Sequence, residues 1–131
     1  MIEINNLTSE KIDSKRVELI ILKTLELEGN KNTKEMSVAI ISSEEIKRIN
    51  SQYREIDSAT DVLSFEGDDN ILGEIIVCPE EVRKNGDSFD DELKRVLIHG
   101  TLHILGYDHE KDQGEMIQKQ EEYFSLIKNN N

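Results

Sequence analysis

The residues best suited to chemistry are the three histidines of the chain, which all lie in the segment IHGTLHILGYDHE, residues 98–110. His99, His103 and His109 follow the spacing H-x3-H-x5-H. Histidines four residues apart lie on one helical face, close enough for both imidazoles to bind one ion. Gly106 then breaks the helix, so the chain can turn and bring His109 to the same ion. Three imidazoles with an open fourth position are typical of catalytic zinc sites, although nickel, copper and iron also bind imidazole.

The same spacing matches the long metzincin protease signature, except at one position. Gly100 stands where those proteases carry the glutamate that takes a proton from the metal-bound water. Without this base, peptide hydrolysis by the usual route is not expected. A substrate with an acidic centre and a good leaving group, such as a phosphodiester, suits the site better. Asp108 is interpreted either as a carboxylate that orients a ligand imidazole or as a turn residue.

Hydrophobic patterning and capping signals predict the elements that must position these residues. An initial strand is predicted over residues 1–7, followed by a helix over residues 10–28 after Ser9. This helix is expected to place its leucines on one face (Leu19, Leu22 and Leu25). Further strands are predicted over residues 36–41, 61–65 and 71–78. A capping box at Ser42 predicts a helix to about Tyr53.

The second half of the chain is predicted to be mainly helical. Pro79 opens a short helix, and Asp87 or Ser88 caps a longer one that ends near Leu105 and carries the first two histidines. A last helix is predicted over about residues 112–128, and the asparagines at 129–131 are expected to fray. Its predicted inner side is Met116, Ile117, Gln120, Tyr123, Phe124 and Ile127. Strands and helices mix without strict alternation, which predicts an α+β fold in a single domain over residues 1–131.

Charge and composition restrict the possible partners. The chain has 28 acidic and 16 basic residues, and its net charge of -12 opposes general adhesion to nucleic acid or to an anionic membrane. Any RNA contact must therefore use the metal or a local basic patch. The candidate basic pairs for such a phosphate track are Lys47/Arg48, Arg83/Lys84 and Lys94/Arg95.

The single cysteine and the lack of long apolar runs predict a cytoplasmic protein without a membrane partner. Cys78 cannot form an internal disulfide, which suits a reducing compartment, and its apolar neighbours predict a buried position. No apolar run approaches the roughly 20 residues of a membrane-spanning helix. The N-terminal residues lack the basic start and apolar block of a signal peptide.

With these residues in view, the chain resembles the YbeY family of bacterial ribosomal-RNA maturation endoribonucleases. The family block HGxLHLxGYDH is matched by His99, Gly100, Leu102, His103, Gly106, Tyr107, Asp108 and His109, with Ile104 for a leucine. The block N-x2-YR-x2-D-x2-TDVLSF is matched by Asn50, Tyr53, Arg54, Asp57, Thr60, Asp61, Val62, Leu63, Ser64 and Phe65. The block LGDI appears as Leu72, Gly73, Glu74 and Ile75, and Glu66 replaces a proline that usually follows LSF.

The resemblance implies a fold, a metal and an activity. The fold would be α+β, with a small, mostly parallel sheet of four strands, packed helices and a metzincin-like zinc helix-turn. One Zn2+ per chain would be held by His99, His103 and His109. The activity would be metal-dependent, single-strand-specific cleavage of ribosomal RNA precursors. It would serve maturation of the small-subunit RNA 3′ end and ribosome quality control. The small ribosomal subunit would be a partner.

The resemblance also assigns catalytic roles, since the family's functional arginine falls on Arg54, with His99 as the second catalytic residue. A guanidinium can bind phosphate through two hydrogen bonds and stabilise its transition state. Considered alone, Arg54 is expected to be a surface residue paired with Glu55 or Asp57. Tyr53 and Tyr107 could stack on a base, but core packing is the favoured prediction for Tyr53.

Two other functions remain open at this stage. The first is a non-catalytic ribosome-assembly factor with a structural zinc site, because an acidic surface suits docking on a basic ribosomal protein. The second is a metal-dependent hydrolase of another substrate such as a peptide, which Gly100 disfavours. For the endoribonuclease, the attacking group is either the zinc-bound water or a substrate 2′-OH.

Overall fold

A computed structural model describes residues 2–31 and 34–128 of the chain. Its strands are β1 (Ile2–Asn6), β2 (Glu35–Ile40), β3 (Val62–Glu66) and β4 (Ile71–Val77). Its helices are α1 (Ser14–Leu27), α2 (Ser43–Arg54), α3 (Pro79–Val82), α4 (Phe89–Ile104) and α5 (Glu115–Leu126). The predicted fraying of residues 129–131 concerns residues outside these ranges.

The four strands form one sheet in the order β1-β2-β4-β3, so the predicted α+β class with a four-stranded sheet is confirmed. Strand β1 pairs with β2 in parallel, and β2 pairs with β4 in parallel. Strand β3 pairs antiparallel with β4, because the connection over residues 67–70 is too short for a parallel crossover. The sheet is therefore mixed, and β3 is one of its two edge strands.

Apolar side chains cover both faces of the sheet, following the two-residue period of the strands. On one face, Val38 and Ile75 pack in a large core with α1, α4 and α5. On the other face, Leu63 and Ile76 pack in a smaller core with Ile46 of α2. Cys78 is fully buried in this smaller core, as its apolar neighbours predict.

Helix α1 differs from its prediction in its start and in its buried face. It begins at Ser14, because the Asp13 side chain accepts the backbone N–H groups of Lys15 and Arg16. Its buried residues are Val17, Ile20, Ile21 and Thr24, and Leu22 is 46% exposed. Apolar residues occupy half of the positions in this helix and lie on more than one side of it, so the sequence period alone did not identify the face that packs.

Helices α2 and α4 begin at their predicted caps. The Ser42 side chain caps α2 and the Ser88 side chain caps α4, each by accepting a backbone N–H group three residues later. On α5, Met116 and Tyr123 are buried as predicted, whereas Ile117 is exposed. None of the helices in the described part of the chain is long and apolar enough to cross a membrane.

Helix α4 is the element around which the site is built. It contacts α1 and α5 on its sides and lies against strands β3 and β4. Nine of its residues are buried, including Leu97, Leu102 and the small Gly100. A helix held on this many sides provides a rigid base for side chains at its C-terminal end.

Candidate metal centre and cleft

The first two histidines lie one turn apart at the C-terminal end of α4, where the helix meets strand β3. Both are half-buried, while the residues on the opposite side of the helix belong to the large core. Their ring centroids are 4.8 Å apart. The i, i+4 spacing therefore places His99 and His103 side by side, as predicted.

The end of α4 is a Schellman turn that reverses the chain towards the site. The Tyr107 N–H donates to the Leu102 carbonyl, and the Gly106 N–H donates to the His103 carbonyl. Gly106 has a φ of +107°, a conformation that residues with a Cβ rarely adopt. The sharp turn predicted at Gly106 is present, and it returns His109 to the two helical histidines.

Asp108 orders the loop that carries His109. Its Oδ1 atom accepts the Glu110 N–H at 3.0 Å, and its carbonyl accepts the Asp112 N–H at 3.0 Å. Among the described residues, no hydrogen bond joins the Asp108 carboxylate to a histidine. Of the two interpretations left open by the sequence, the structure therefore supports the turn residue.

The three imidazoles converge on one point. One ring nitrogen from each of His99, His103 and His109 lies within 4.8 Å of the other two. The Nδ1 atom of His109 is 3.2 Å from Nε2 of His103. Two nitrogen ligands at tetrahedral zinc distances are separated by about 3.3 Å, so this pair already has the spacing that the ion requires. The donor set fits a zinc-like cation.

Two further contacts fix which nitrogen each helical histidine offers. Nδ1 of His99 lies 2.7 Å from Oε1 of Gln120, and Nδ1 of His103 lies 3.0 Å from the Tyr107 carbonyl. A carbonyl or amide oxygen only accepts, so both Nδ1 atoms carry a proton and both Nε2 lone pairs face the centre. Sequence reasoning placed Gln120 on the inner side of α5 but missed this role.

Burial favours the neutral, ligating form of the two helical histidines. Desolvation is the main cause that lowers the pKa of His99 and of His103. The neighbouring imidazoles lower both pKa values further, and the charge of Arg54 adds to the effect on His103. These shifts suit a cation site because only an unprotonated nitrogen can bind a metal.

The position of Gly100 explains why no glutamate accompanies these histidines. A Cβ atom built on Gly100 would lie 3.0 Å from the Ser64 Oγ atom and 3.3 Å from Cγ2 of Ile75. The Ser64 hydroxyl donates to the Gly100 carbonyl at 3.2 Å, which draws α4 close to β3. A side chain at this position would require Ser64 or Ile75 to shift, so a glutamate is disfavoured here.

A cleft of about 660 Å³ opens at the three histidines. Residues 60–66 line one side, and His103, His109 and the turn over residues 106–108 line another. Arg54, at the end of α2, also lines the cleft. The cleft therefore brings together the predicted metal ligands and the predicted catalytic arginine. Arg54 and His99 are 45 residues apart in the sequence.

Arg54 is held by uncharged groups. Its Nη2 atom donates to the Ser64 carbonyl at 2.7 Å, and its guanidinium lies 5.2 Å from the centroid of the Phe65 ring. Within residues 2–31 and 34–128 no ion pair involves Arg54, and Asp57 instead lies 4.0 Å from Lys47. The pairing expected from the residue alone is thus wrong, and the positive charge in the cleft has no carboxylate partner in the described structure.

The three basic pairs considered as a phosphate track are engaged elsewhere. Lys94 is buried, and its Nζ atom donates to the Ile127 carbonyl at 2.6 Å. The other five side chains form ion pairs: Lys47–Asp57, Arg48–Glu45, Arg83–Glu10, Lys84–Glu81, and Arg95 with both Glu92 and Glu121. These pairs do not form an unpaired cationic surface.

Tyr53 does not pack in the core, contrary to its prediction. It is 64% exposed at the end of α2, and its ring meets the edge of Phe65 with centroids 5.8 Å apart. Tyr107 is half-buried at the cleft, and burial, followed by hydrogen bonding to Glu28, raises its pKa. Of the two tyrosines, Tyr53 therefore keeps the more accessible ring.

Comparison with known proteins gives consistent similarities. A family model described as Endoribonuclease YbeY matches residues 3–128. A relative from Thermotoga neapolitana with that name is 40% identical, covering 97% of this chain and 83% of its own. One from Aliarcobacter butzleri is 36% identical, covering 98% of this chain and 93% of its own. The solution structure of TM1509 from Thermotoga maritima is similar with a TM-score of 0.63 and 37% identity, covering 95% of this chain and 87% of that one.

Proposed function

This chain belongs to the endoribonuclease YbeY family, and on that premise we propose that it is a zinc-dependent endoribonuclease that cleaves single-stranded RNA. Its substrates are precursors of the small-subunit ribosomal RNA, which it cleaves at the 3′ end during maturation and ribosome quality control. Residues 1–131 act as one domain with one Zn2+, in a reducing cytoplasm that suits the free thiol of Cys78.

One observation carries the proposal: three imidazoles line the same cleft as an arginine that has no carboxylate partner among the described residues. The imidazoles can hold a divalent cation, and Arg54 supplies a second positive charge. A phosphodiester gains negative charge as it is attacked, so two fixed positive charges around it stabilise the transition state. The transition state for hydrolysis of a neutral peptide bond would gain less stabilisation from these two charges.

The proposed role of each residue follows from its position in the cleft. When bound, zinc acts as a Lewis acid on a phosphate oxygen and supplies an acidified water. His99, His103 and His109 hold the ion, so the catalytic role of His99 is exerted through this contact. Gln120 and the Tyr107 carbonyl orient two of the rings. Arg54, fixed by the Ser64 carbonyl, presents its remaining N–H groups to the phosphate.

Arg54 also disfavours a peptide substrate. Strand β3 is an edge strand, and the Ser64 carbonyl that accepts from Arg54 points away from its partner β4. A peptide that extended the sheet would need to donate a hydrogen bond to this carbonyl. The metzincin-like helix-turn therefore serves a different substrate from that of the proteases with the same histidine spacing.

Cleavage of a single-stranded RNA oligonucleotide by zinc-loaded protein tests the proposal, with a matched duplex and a chelator control. Arg54→Ala should reduce kcat by about 100- to 1000-fold, the usual loss when one transition-state charge partner is removed. Arg48→Ala is the matched control, because Arg48 lies on the same helix but pairs with Glu45. Intact RNA with the loaded wild type, or full activity in His103→Ala, would overturn the proposal.

A non-catalytic ribosome-assembly factor is the second candidate. The charge of -12 and the internal pairing of the basic side chains favour it, because both weaken a free search for RNA. Co-sedimentation of Arg54→Ala with small subunits, together with normal RNA processing in cells carrying that variant, is the result expected for this candidate. Loss of processing with retained co-sedimentation is expected for the enzyme.

A further inference from the structure

Tyr53 and Phe65 form an aromatic ledge beside the metal cleft. Their ring centroids are 5.8 Å apart and their planes meet at 71°, an edge-to-face contact. Phe65 is half-buried and lines the cleft, whereas Tyr53 is 64% exposed. The ledge therefore begins in the cleft and ends in an accessible phenol ring.

Arg54 joins this ledge to the phosphate-binding end of the cleft. Its guanidinium lies 5.2 Å from the Phe65 centroid, and its Nη2 atom is fixed on the Ser64 carbonyl. A nucleotide whose phosphate contacts Arg54 consequently has its base, or that of its neighbour, close to the ledge. Arginine and aromatic rings together are the groups on which unpaired bases stack.

The charge distribution favours a stacking contact. Proteins that bind RNA through phosphates use several unpaired cations, and each phosphate contact contributes to affinity. Five of the candidate basic side chains here are tied to carboxylates, and the chain carries a net charge of -12. Uncharged surface can then contribute affinity for a single strand, and exposed Tyr53 offers such a surface beside the cleft.

We propose that the aromatic ledge stacks one unpaired base of the RNA next to the phosphate held by Arg54, and so contributes to the selectivity for single strands. A base inside a duplex is already stacked and paired, so it cannot reach Tyr53 without being unstacked. This inference rests on the proposed endoribonuclease function. It adds a base-binding subsite to that function.

Steady-state kinetics on a single-stranded oligonucleotide with one cleavage site provide the first test. Tyr53→Ala should raise KM roughly 10- to 100-fold, the effect of losing one stacked base, with little change in kcat. Tyr53→Phe keeps the ring and should behave as wild type. Leu22→Ala is the control for loss of an exposed apolar side chain, because Leu22 is 46% exposed on α1.

Abasic substitutions, moved along the oligonucleotide one position at a time, identify the base. At one position the abasic RNA should weaken binding to wild type but not to Tyr53→Ala, because the variant has already lost the contact. Equal KM for Tyr53→Ala and wild type, or the same abasic penalties in both proteins, would overturn the ledge proposal. Urea unfolding verifies that each variant is folded.

Binding measured without cleavage separates this proposal from the proposed function. Fluorescence anisotropy of a labelled single strand reports affinity whether or not the wild type cuts RNA. A wild type that binds but does not cut would overturn the endoribonuclease, while weaker binding by Tyr53→Ala alone would still support the ledge. Unchanged binding by Tyr53→Ala would overturn the ledge even if the wild type is an active nuclease.

Discussion

The Nδ1 atom of His99 lies 2.7 Å from the Oε1 atom of Gln120, so a residue on α5 orients a candidate metal ligand on α4. The same amide donates from Nε2 to Glu121 at 3.1 Å, and Glu121 in turn pairs with Arg95 of α4. The two helices are thus joined by a chain of polar contacts that ends at the metal centre. This arrangement makes α5 part of the site, although it contributes no ligand.

Replacing Gln120 should weaken metal binding. Gln120→Ala removes the acceptor of the His99 Nδ1 proton, so the ring loses its fixed orientation and tautomer. We expect zinc affinity to fall about 10- to 100-fold, as for other contacts to ligand histidines. Competition with a chromophoric chelator measures the change, and Gln120→Glu, which keeps an acceptor oxygen, is the control. Unchanged affinity in Gln120→Ala would contradict this role.

Placing at Gly100 the glutamate that metzincin proteases carry should destabilise the protein and should not make it a peptidase. Gly100→Glu forces a charged side chain between α4 and the sheet, where even a Cβ atom meets Ser64 Oγ at 3.0 Å. The expected loss is about 3 kcal/mol of unfolding free energy, from overpacking and burial of a polar group. Urea unfolding measures it, and Gly100→Ala isolates the cost of the Cβ atom. A variant as stable as wild type would show that the helix can move.

Glu28 should stabilise the loop that follows the second histidine. It accepts the Tyr123 hydroxyl. Burial, followed by hydrogen bonding to Glu28, raises the pKa of Tyr107, whose carbonyl orients His103. Glu28→Ala is expected to cost about 1–3 kcal/mol in unfolding free energy because the buried Tyr123 hydroxyl loses its acceptor. Glu28→Gln keeps an acceptor and should lose less. Equal urea midpoints for the two variants would argue against this interpretation.

The metal-free protein should lose stability in mild acid. Burial lowers the pKa of His99 in the folded state below its usual 6.5, so folding favours the neutral ring. The stabilising contribution is fully present above pH 6.5 and is lost as the pH falls through the lowered folded-state pKa. Urea midpoints across this range measure the loss. His99→Asn, which keeps a donor for Gln120 but does not titrate, should show a shallower pH dependence, and an equal slope would exclude His99 as the cause.

Features set by local sequence were predicted well. Ser42 and Ser88 cap their helices because their side chains satisfy N–H groups within three residues. The ligand pair on α4 follows from helical spacing, and the turn at Gly106 follows from its positive φ. Predictions of which face of a helix is buried were less successful. Leu22 of α1 and Ile117 of α5 are exposed because packing partners elsewhere in the chain select the buried face.

The sequence by itself predicted the three candidate metal ligands and most of the elements that carry them, because backbone geometry over a few residues brings the histidines together. Only the tertiary structure decided that Gln120 meets His99, that Gly100 lies tightly against Ser64 and Ile75, and that Tyr53 and Arg54 both lie beside Phe65. Each of these depends on how helices and strands distant in sequence pack together. That packing is a sum of many weak contacts, which no short motif encodes.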